Sequence, residues 1–287
     1  MMMKTTKKII ATILAVIIVT ATPICAYADG DTGVVESRVE TVRAITVPAI
    51  AEELFAGESD PTIRRICVDA MIASVDPNAQ IINNRTVIGT YEKNPAMLNT
   101  AKGVSGPYNF AYSNNNDVTT ATIYYAKAID STTRQSNYED IIFLYNAAND
   151  LKTEVSGMDE RAKSLYILDY IADRCEYIMD FDYAGGAVML RSGKGLCASY
   201  ASLYYILATY TGLNTTCVSG VEKKSGICHV WNNVLVDGEW LAIDASGYDV
   251  NGGSMRWVLV PCDTMCQFYD VPDGDFDDML NVLMVHN

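Results

Sequence analysis

The stretch from residue 193 to residue 212, GKGLCASYASLYYILATYTG, decides the fold. From 196 to 211 its residues are almost all apolar or small, which predicts a long buried helix. Gly212 then ends the helix, since glycine adopts the left-handed conformation there without steric cost. Cys197 lies in the first turn, where unpaired backbone N–H groups and the helix dipole favour a negative charge. Because the thiolate is the nucleophilic form of cysteine, Cys197 is either a catalytic residue or a small core residue.

Strand candidates follow this helix and indicate an antiparallel sheet. They cover residues 215–221, 229–236, 239–244 and 256–261. Asp237-Gly238, between the second and third of them, is a strong signal for a two-residue hairpin turn. A helix followed by an antiparallel sheet, without βαβ alternation, predicts an α+β fold.

His229 is the interior histidine, because the other one, His286, lies one residue from the end. A cysteine nucleophile generally needs a nearby imidazole as its base and acid. If the hairpin turn has two residues, Val236 faces Glu239, and Asp244 lies diagonal to His229 on the same face. Asp244 is then able to orient the imidazole. A register slip of one residue would move Asp244 to the opposite face.

A series of short pieces in fixed order connects these residues to a family. The pieces are GKGLCASYA at 193–201, GL at 212–213, VSG at 218–220, HVWN at 229–232, GEW at 238–240 and ID at 243–244. The series resembles the bacterial transglutaminase-like superfamily over about residues 159–263. The resemblance implies a papain-like α+β core, in which the helix that carries Cys197 packs on a sheet that carries His229 and Asp244. These three residues match the triad in the family order.

The resemblance also implies a reaction, in which the enzyme attacks an amide carbonyl of a protein or peptide and forms an acyl-enzyme. Hydrolysis, as in a cysteine protease or amidase, is favoured because water is always available and no dedicated amine site is evident. Cross-linking by a transglutaminase is the second interpretation, because the same triad serves both reactions. A cell-surface binding protein that keeps the fold without the chemistry is the third.

Strand alternation suggests further residues around the triad. Trp231 and Trp240 share the predicted face of His229, so they are either walls of the substrate cleft or core residues. Cys228 is set aside as a nucleophile because neighbours on a strand point to opposite faces. The backbone N–H of Cys197 is the expected first oxyanion donor.

Residues 1–28 have the three regions of a secretory signal peptide. Three lysines precede an apolar run at 9–19, and Ala26-Tyr27-Ala28 follows as a cleavage pattern. We expect cleavage after Ala28, a secreted or cell-surface location, and no stable membrane insertion afterwards. An uncleaved membrane anchor is the alternative.

The remaining chain divides near residue 135. Residues 29–135 form an N-terminal region with a mixed helix and strand pattern and no chemical motif, and residues 136–287 form the catalytic domain. The elements predicted before the central helix are a helix at 62–75, a strand-rich stretch at 86–91, a hairpin of 108–112 with 118–125, and helices at 137–152 and 158–175.

Charge and cysteine content exclude several partners. The 287 residues include 35 acidic and 21 basic ones, which gives a net charge of −14. Without a basic stripe, nucleic acid and anionic membranes are disfavoured as partners. Six cysteines besides Cys25 and Cys197 are either buried thiols or disulfide partners, and only Cys217 with Cys228 has a geometric argument. The acidic segment at 270–278 lacks calcium-loop spacing and no Cys-x-x-Cys pair occurs, so we expect no metal and no cofactor.

Overall fold

The computed structural model describes residues 45–92, 108–115, 118–125, 127–180 and 185–271. The predicted leader at 1–28 and most of the acidic segment at 270–278 lie outside these described residues. Within them, no helix combines the length and the apolar character that crossing a bilayer requires.

The fold is α+β, with helices packed against antiparallel sheets. The elements of the described chain are α1 (Val47–Leu54), α2 (Pro61–Ala73), β1 (Ile81–Ile82), β2 (Arg85–Glu92), β3 (Tyr108–Asn115), β4 (Val118–Tyr125), α3 (Ser131–Glu154), α4 (Glu160–Ala172), β5 (Glu176–Tyr177), α5 (Gly186–Ser192), β6 (Lys194–Gly195), α6 (Cys197–Tyr210), β7 (Thr215–Glu222), β8 (Cys228–Val236), β9 (Glu239–Ile243), α7 (Ala245–Val250), a 3₁₀ turn (Met255–Trp257), β10 (Val258–Pro261), α8 (Cys262–Cys266) and β11 (Tyr269–Asp270).

Helix α6 is the centre of the molecule. It packs against α1, α3, α4, α5 and α7 and against strands β7 and β8. Because it is enclosed on all sides, its sequence has no polar face. The helix ends at Tyr210, and Gly212 follows with a φ of 89°. The predicted central helix is therefore confirmed.

A five-stranded antiparallel sheet lies against α6, in the order β10, β9, β8, β7, β11. Asp237 and Gly238 have φ values of 55° and 81°, so both residues of the β8–β9 turn are left-handed, as a type I′ turn requires. Val236 pairs with Glu239. The register predicted from the turn is thus confirmed.

The two faces of this sheet are covered unequally. On the α6 face, Val234, Leu241 and Ile243 join the main core. On the other face, Trp231 and Ala242 belong to a small separate cluster with a few other side chains. Residues 255–271, which we call the C-terminal strap, close this second face. We refer below to the framework face, toward α6, and the strap face.

The N-terminal region adds α1, α2 and a four-stranded antiparallel sheet in the order β1, β2, β4, β3. The predicted helix at 62–75 and the predicted hairpin are confirmed as α2 and as β3 with β4. Buried residues of α1 and α2 share the main core with α6, so this core is continuous across residue 135. The boundary predicted there stays a prediction.

The helix predicted at 137–152 needs correction, and two further helices were not predicted. Helix α3 begins at Ser131 rather than at 137, because the Asp130 side chain accepts from the Thr133 N–H and caps the helix there. Helix α1 was missed because it is only two turns long. Helix α5 was missed because it begins at Gly185-Gly186, and glycine is typical of turns rather than helices.

The register of β7 with β8 excludes a disulfide between Cys217 and Cys228. Cys217 pairs with Asn232, while Cys228 pairs with Val221. The two cysteines are therefore four positions apart along the ladder, or about 13 Å. A disulfide needs Cα atoms within about 7 Å. The sequence argument placed both cysteines in one hairpin without fixing their positions along its strands.

Candidate active site

The start of α6 is held by close backbone packing at Gly195. A Cβ atom at this position would lie 2.4 Å from Sδ of Met189 and 2.8 Å from Cβ of Ser199. Only glycine therefore lets the chain pass between α5 and the first turn of α6. The chain enters Cys197 through Leu196, which has an extended backbone and serves as the helix N-cap.

Ser199 ties this helix start to its neighbour. Its buried hydroxyl accepts from the Leu196 N–H at 3.4 Å and from the Gly185 N–H at 3.3 Å. One turn further, the Ser202 hydroxyl accepts from the Gly186 N–H at 3.1 Å. These bonds satisfy backbone donors at the starts of both α5 and α6, which otherwise lack intrahelical partners.

Strand β8 carries His229 and is fixed to α6 by a buried amide. Nδ2 of Asn232 donates to the Ala201 carbonyl at 3.0 Å. Ala201 lies one turn after Cys197, so the bond fixes the helix that carries Cys197 relative to the strand that carries His229. The sequence shows this asparagine within HVWN, but its role depends on a contact between distant segments.

Asp244 follows β9 and caps helix α7. Its Oδ1 atom accepts from the Gly247 N–H at 2.8 Å and from the Ser246 hydroxyl at 2.9 Å. Its Oδ2 atom lies 2.7 Å from Nε2 of His229. A Cβ atom at Gly247 would lie 2.5 Å from Oδ2, so this glycine makes room for the carboxylate. The structure thus joins His229 and Asp244, as the register predicts.

The charges of the site stabilise each other. The side chains of His229 and Asp244 are 19% and 4% exposed. Burial lowers the pKa of His229, but hydrogen bonds to Asp244 and Cys197 and the charges of both partners outweigh it and raise the pKa to about 10. Burial raises the pKa of Asp244, but the hydrogen bond and charge of His229 outweigh it and lower this pKa below its usual value. Because Nε2 faces Asp244, Nδ1 is the ring nitrogen left for Cys197.

Two aromatic rings enclose the imidazole. The Tyr269 ring lies 5.4 Å from that of His229 with an interplanar angle of 23°. The Trp231 ring lies 6.2 Å away at 26°. Trp231 is buried, and its ring centroid lies 5.2 Å from that of Tyr269. Sequence reasoning missed Tyr269, because β11 pairs with distant β7 and no local pattern predicts that pairing.

Trp240 lies elsewhere on the sheet. It pairs with Leu235, six positions along β8 from His229, which is about 20 Å at the usual strand rise. Its side chain is 45% exposed. The predicted shared face therefore does not bring Trp240 to the imidazole, since a face extends along the whole strand.

The arrangement has the components of covalent catalysis at a carbonyl: a thiol at a helix start, an imidazole bonded to it, and a buried carboxylate behind the imidazole. In the part of the chain that the structure describes, no three His, Cys, Asp or Glu side chains are placed to hold a metal ion.

Comparison with known protein families identifies one matching family model. The family model of the Transglutaminase-like superfamily matches residues 149–245. The match begins in α3, ends just after Asp244, and contains Cys197 and His229. Residues 149–245 thus match the core of the transglutaminase-like superfamily, which confirms the resemblance found in the sequence. No curated protein matches the chain.

Several solved structures are similar to the chain. A proposed cysteine protease from Cytophaga hutchinsonii is 13% identical with a TM-score of 0.32, and the alignment covers 68% of this chain and 72% of that one. A TGase is 19% identical with a TM-score of 0.32, at 55% and 48% coverage, so the chain spans about half its length. The periplasmic domain of TgpA from Pseudomonas aeruginosa, bound to ethylmercury, is 14% identical with a TM-score of 0.30, at 50% and 69% coverage.

Proposed function

We propose that the chain is an exported thiol enzyme that transfers the acyl group of amide bonds in proteins or peptides. Cys197 is the nucleophile, His229 the proton carrier and Asp244 the residue that orients the imidazole. One observation carries the proposal: the hydrogen-bonded series from Cys197 through His229 to Asp244 stands at a helix start inside the matched family core.

The mechanism follows from these atoms. The Cys197 thiolate attacks the amide carbonyl carbon, and the carbonyl oxygen becomes an oxyanion. The backbone N–H of Cys197, which has no acceptor within its own helix, donates to that oxygen. As the C–N bond breaks, the His229 imidazolium gives its proton to the departing amine, leaving a thioester. Asp244 keeps the ring aligned and stabilises its positive charge.

Hydrolysis is the proposed second half of the reaction. His229 takes a proton from water, the hydroxide attacks the thioester, and the carboxylic acid leaves while Cys197 becomes a thiolate again. In cross-linking, an amine would take the place of water. We favour water because no amine-binding site is evident among the described residues. The signal-like segment at 1–28 supports export, and an N terminus at Asp29 in protein recovered from the medium would test it.

Mass spectrometry of a peptide mixture tests the function. The mixture is treated with the wild type, with Cys197→Ala and with Cys266→Ser, a matched control that removes an exposed cysteine on α8. New peptide termini indicate cleavage, glutamine converted to glutamate indicates side-chain hydrolysis, and isopeptide-linked pairs indicate cross-linking.

We expect cleavage or deamidation with the wild type and with Cys266→Ser, and none with Cys197→Ala. Isopeptide products alone would replace hydrolysis with cross-linking. Identical products from the wild type and Cys197→Ala would contradict the thiol mechanism and favour a binding protein that keeps the fold.

A further inference from the structure

Tyr269 contributes to the site from outside the matched family core. It belongs to β11 in the C-terminal strap, where Tyr269 pairs with Glu222 and Asp270 with Val221. The family match ends at residue 245. The strap thus delivers a side chain to His229 from more than twenty residues beyond the match.

The ring of Tyr269 covers one face of the imidazole. The two rings are nearly parallel, with centroids 5.4 Å apart and an angle of 23°. Trp231 supports the arrangement, because its ring contacts both of the others. A ring over an imidazolium attracts it electrostatically and restricts its rotation. It also keeps water from that face.

Charge is consistent with such a contact. Burial first, and then the negative charges of Asp244, Glu222 and Cys197, raise the pKa of Tyr269 to about 12, and the charge of Arg256 only partly opposes this rise. The phenol therefore stays neutral where His229 is protonated. A neutral aromatic ring attracts a cation through the negative face of its π system.

We propose that Tyr269 is a positioning residue that holds the His229 ring between Cys197 and Asp244 and shields it from water. The catalytic part of this assignment rests on the function proposed above. Tyr269 acts through His229, so its effect extends to Cys197 only by way of the imidazole. The aromatic ring carries the effect, and the hydroxyl is dispensable.

Nuclear magnetic resonance of the histidine ring tests the placement without any substrate. The chain has two histidines, so in a His286→Gln background all imidazole signals come from His229. The exchange of its Nε2 proton with water is measured in the background protein, in Tyr269→Phe and in Tyr269→Leu. Phe268→Leu is the matched control, since the neighbouring Phe268 ring packs on Trp257 at 4.9 Å.

In Tyr269→Phe and Phe268→Leu we expect the Nε2 proton to exchange at a rate within about twofold of that in the background protein. In Tyr269→Leu we expect exchange about 10-fold faster, because the imidazolium loses a desolvated contact with an aromatic ring. Unchanged exchange in Tyr269→Leu would overturn the proposal. If Tyr269→Leu does not fold, a measurement on the His286→Gln background protein still tests the placement of Tyr269. A nuclear Overhauser contact between the two rings supports the proposal, and its absence overturns it.

Alkylation of Cys197 in the same proteins adds the catalytic readout. At neutral pH we expect iodoacetamide to label Cys197 about 10-fold more slowly in Tyr269→Leu, and at the wild-type rate in Tyr269→Phe. An unchanged rate in Tyr269→Leu would contradict the positioning role. If Cys197 of the wild type reacts no faster than Cys266, the proposed function fails, while the resonance data still decide where Tyr269 lies.

Discussion

The two faces of the five-stranded sheet differ in how they are packed and in what they carry. The framework face joins the large core around α6, which includes residues from α1 to β10. Among the described residues, the strap face has a small cluster around Trp231, closed by residues 255–271. His229 lies on this face beside Trp231. In the proposed function, stability and chemistry are therefore separated: the thick layer fixes the backbone, and the thin layer holds the imidazole of His229.

The helix caps also differ between the surface of the protein and the candidate site. Helices α2, α3, α4 and α7 all begin after an aspartate whose side chain accepts from the first turn. Asp130 and Asp159 do this at the exposed surface. Asp244 is buried, and its second oxygen is bonded to His229. A common local motif thus becomes part of the candidate site, because the second carboxylate oxygen of this cap bonds to His229.

The largest effect is expected from the proposed reacting pair, Cys197 at the start of α6 and His229 on β8. Cys197→Ala and His229→Ala should each lower amide turnover by at least about 10³-fold, because a nucleophile and its base act as a unit. Turnover is measured on a peptide identified in the mixture experiment, and circular dichroism checks the fold. The double variant should be no slower than either single one. A markedly slower double variant would mean that the two residues act independently.

Two substitutions at Asp244 should separate its two roles, which are to bond His229 and to cap helix α7. Asn caps helices well, so Asp244→Asn should keep the cap of α7 while turnover falls by about 10²-fold, because the amide stabilises the imidazolium poorly. Asp244→Ala should also lose the cap, at about 1 kcal/mol in the free energy of unfolding. Turnover and urea denaturation measure the two effects. Unchanged turnover in Asp244→Asn would show that another group orients His229.

A substitution on the framework side should lower the stability of the fold without changing the reactivity of Cys197. In Gly186→Ala the new Cβ would lie 2.7 Å from the Leu203 nitrogen, so α5 must move away from α6. We expect a loss of about 1–3 kcal/mol in the free energy of unfolding, with the alkylation rate of Cys197 unchanged in the folded protein. Gly157→Ala is the control: at a φ of 82° with nothing within 4 Å, it carries backbone strain alone. Equal losses in the two variants would argue against close packing at Gly186.

A further expected effect is a pH dependence of stability. The pKa of His229 rises from 6.5 to about 10 in the folded state, so the protonated ring stabilises the fold. This stabilisation is complete below pH 6.5 and is lost as the pH rises to about 10. The difference in free energy of unfolding between the wild type and His229→Gln should therefore shrink over this interval. A constant difference in urea denaturation would contradict the raised pKa.

Local signals were enough to predict how the residues of the proposed triad are arranged. Asp237-Gly238 fixes a turn with both residues left-handed, and that turn alone sets which residues of β8 and β9 are neighbours. The helix start at Cys197 is equally local. For this reason the sequence predicts the approach of Asp244 to His229 before any fold is known.

The sequence does not predict contacts that depend on the pairing of strands far apart in the chain. Tyr269 reaches the site through a pairing of β11 with β7, which no turn specifies. Trp240 shares a face with His229 but lies far along it, and Cys217 is displaced from Cys228 in the same way. The alternation of side chains along a strand predicts the face on which a residue lies. Its neighbours on the adjacent strand can be predicted only when the register of the two strands is known.

The most direct test of the account is the alkylation rate of Cys197 at neutral pH, followed peptide by peptide in the wild type and in His229→Gln. We predict that the wild-type rate exceeds that of exposed Cys266, because the helix start and His229 activate the thiol. In His229→Gln the rate of Cys197 should fall to that of Cys266. A wild-type rate no higher than that of Cys266, or an unchanged rate in His229→Gln, would contradict the claim that His229 and the helix start activate Cys197.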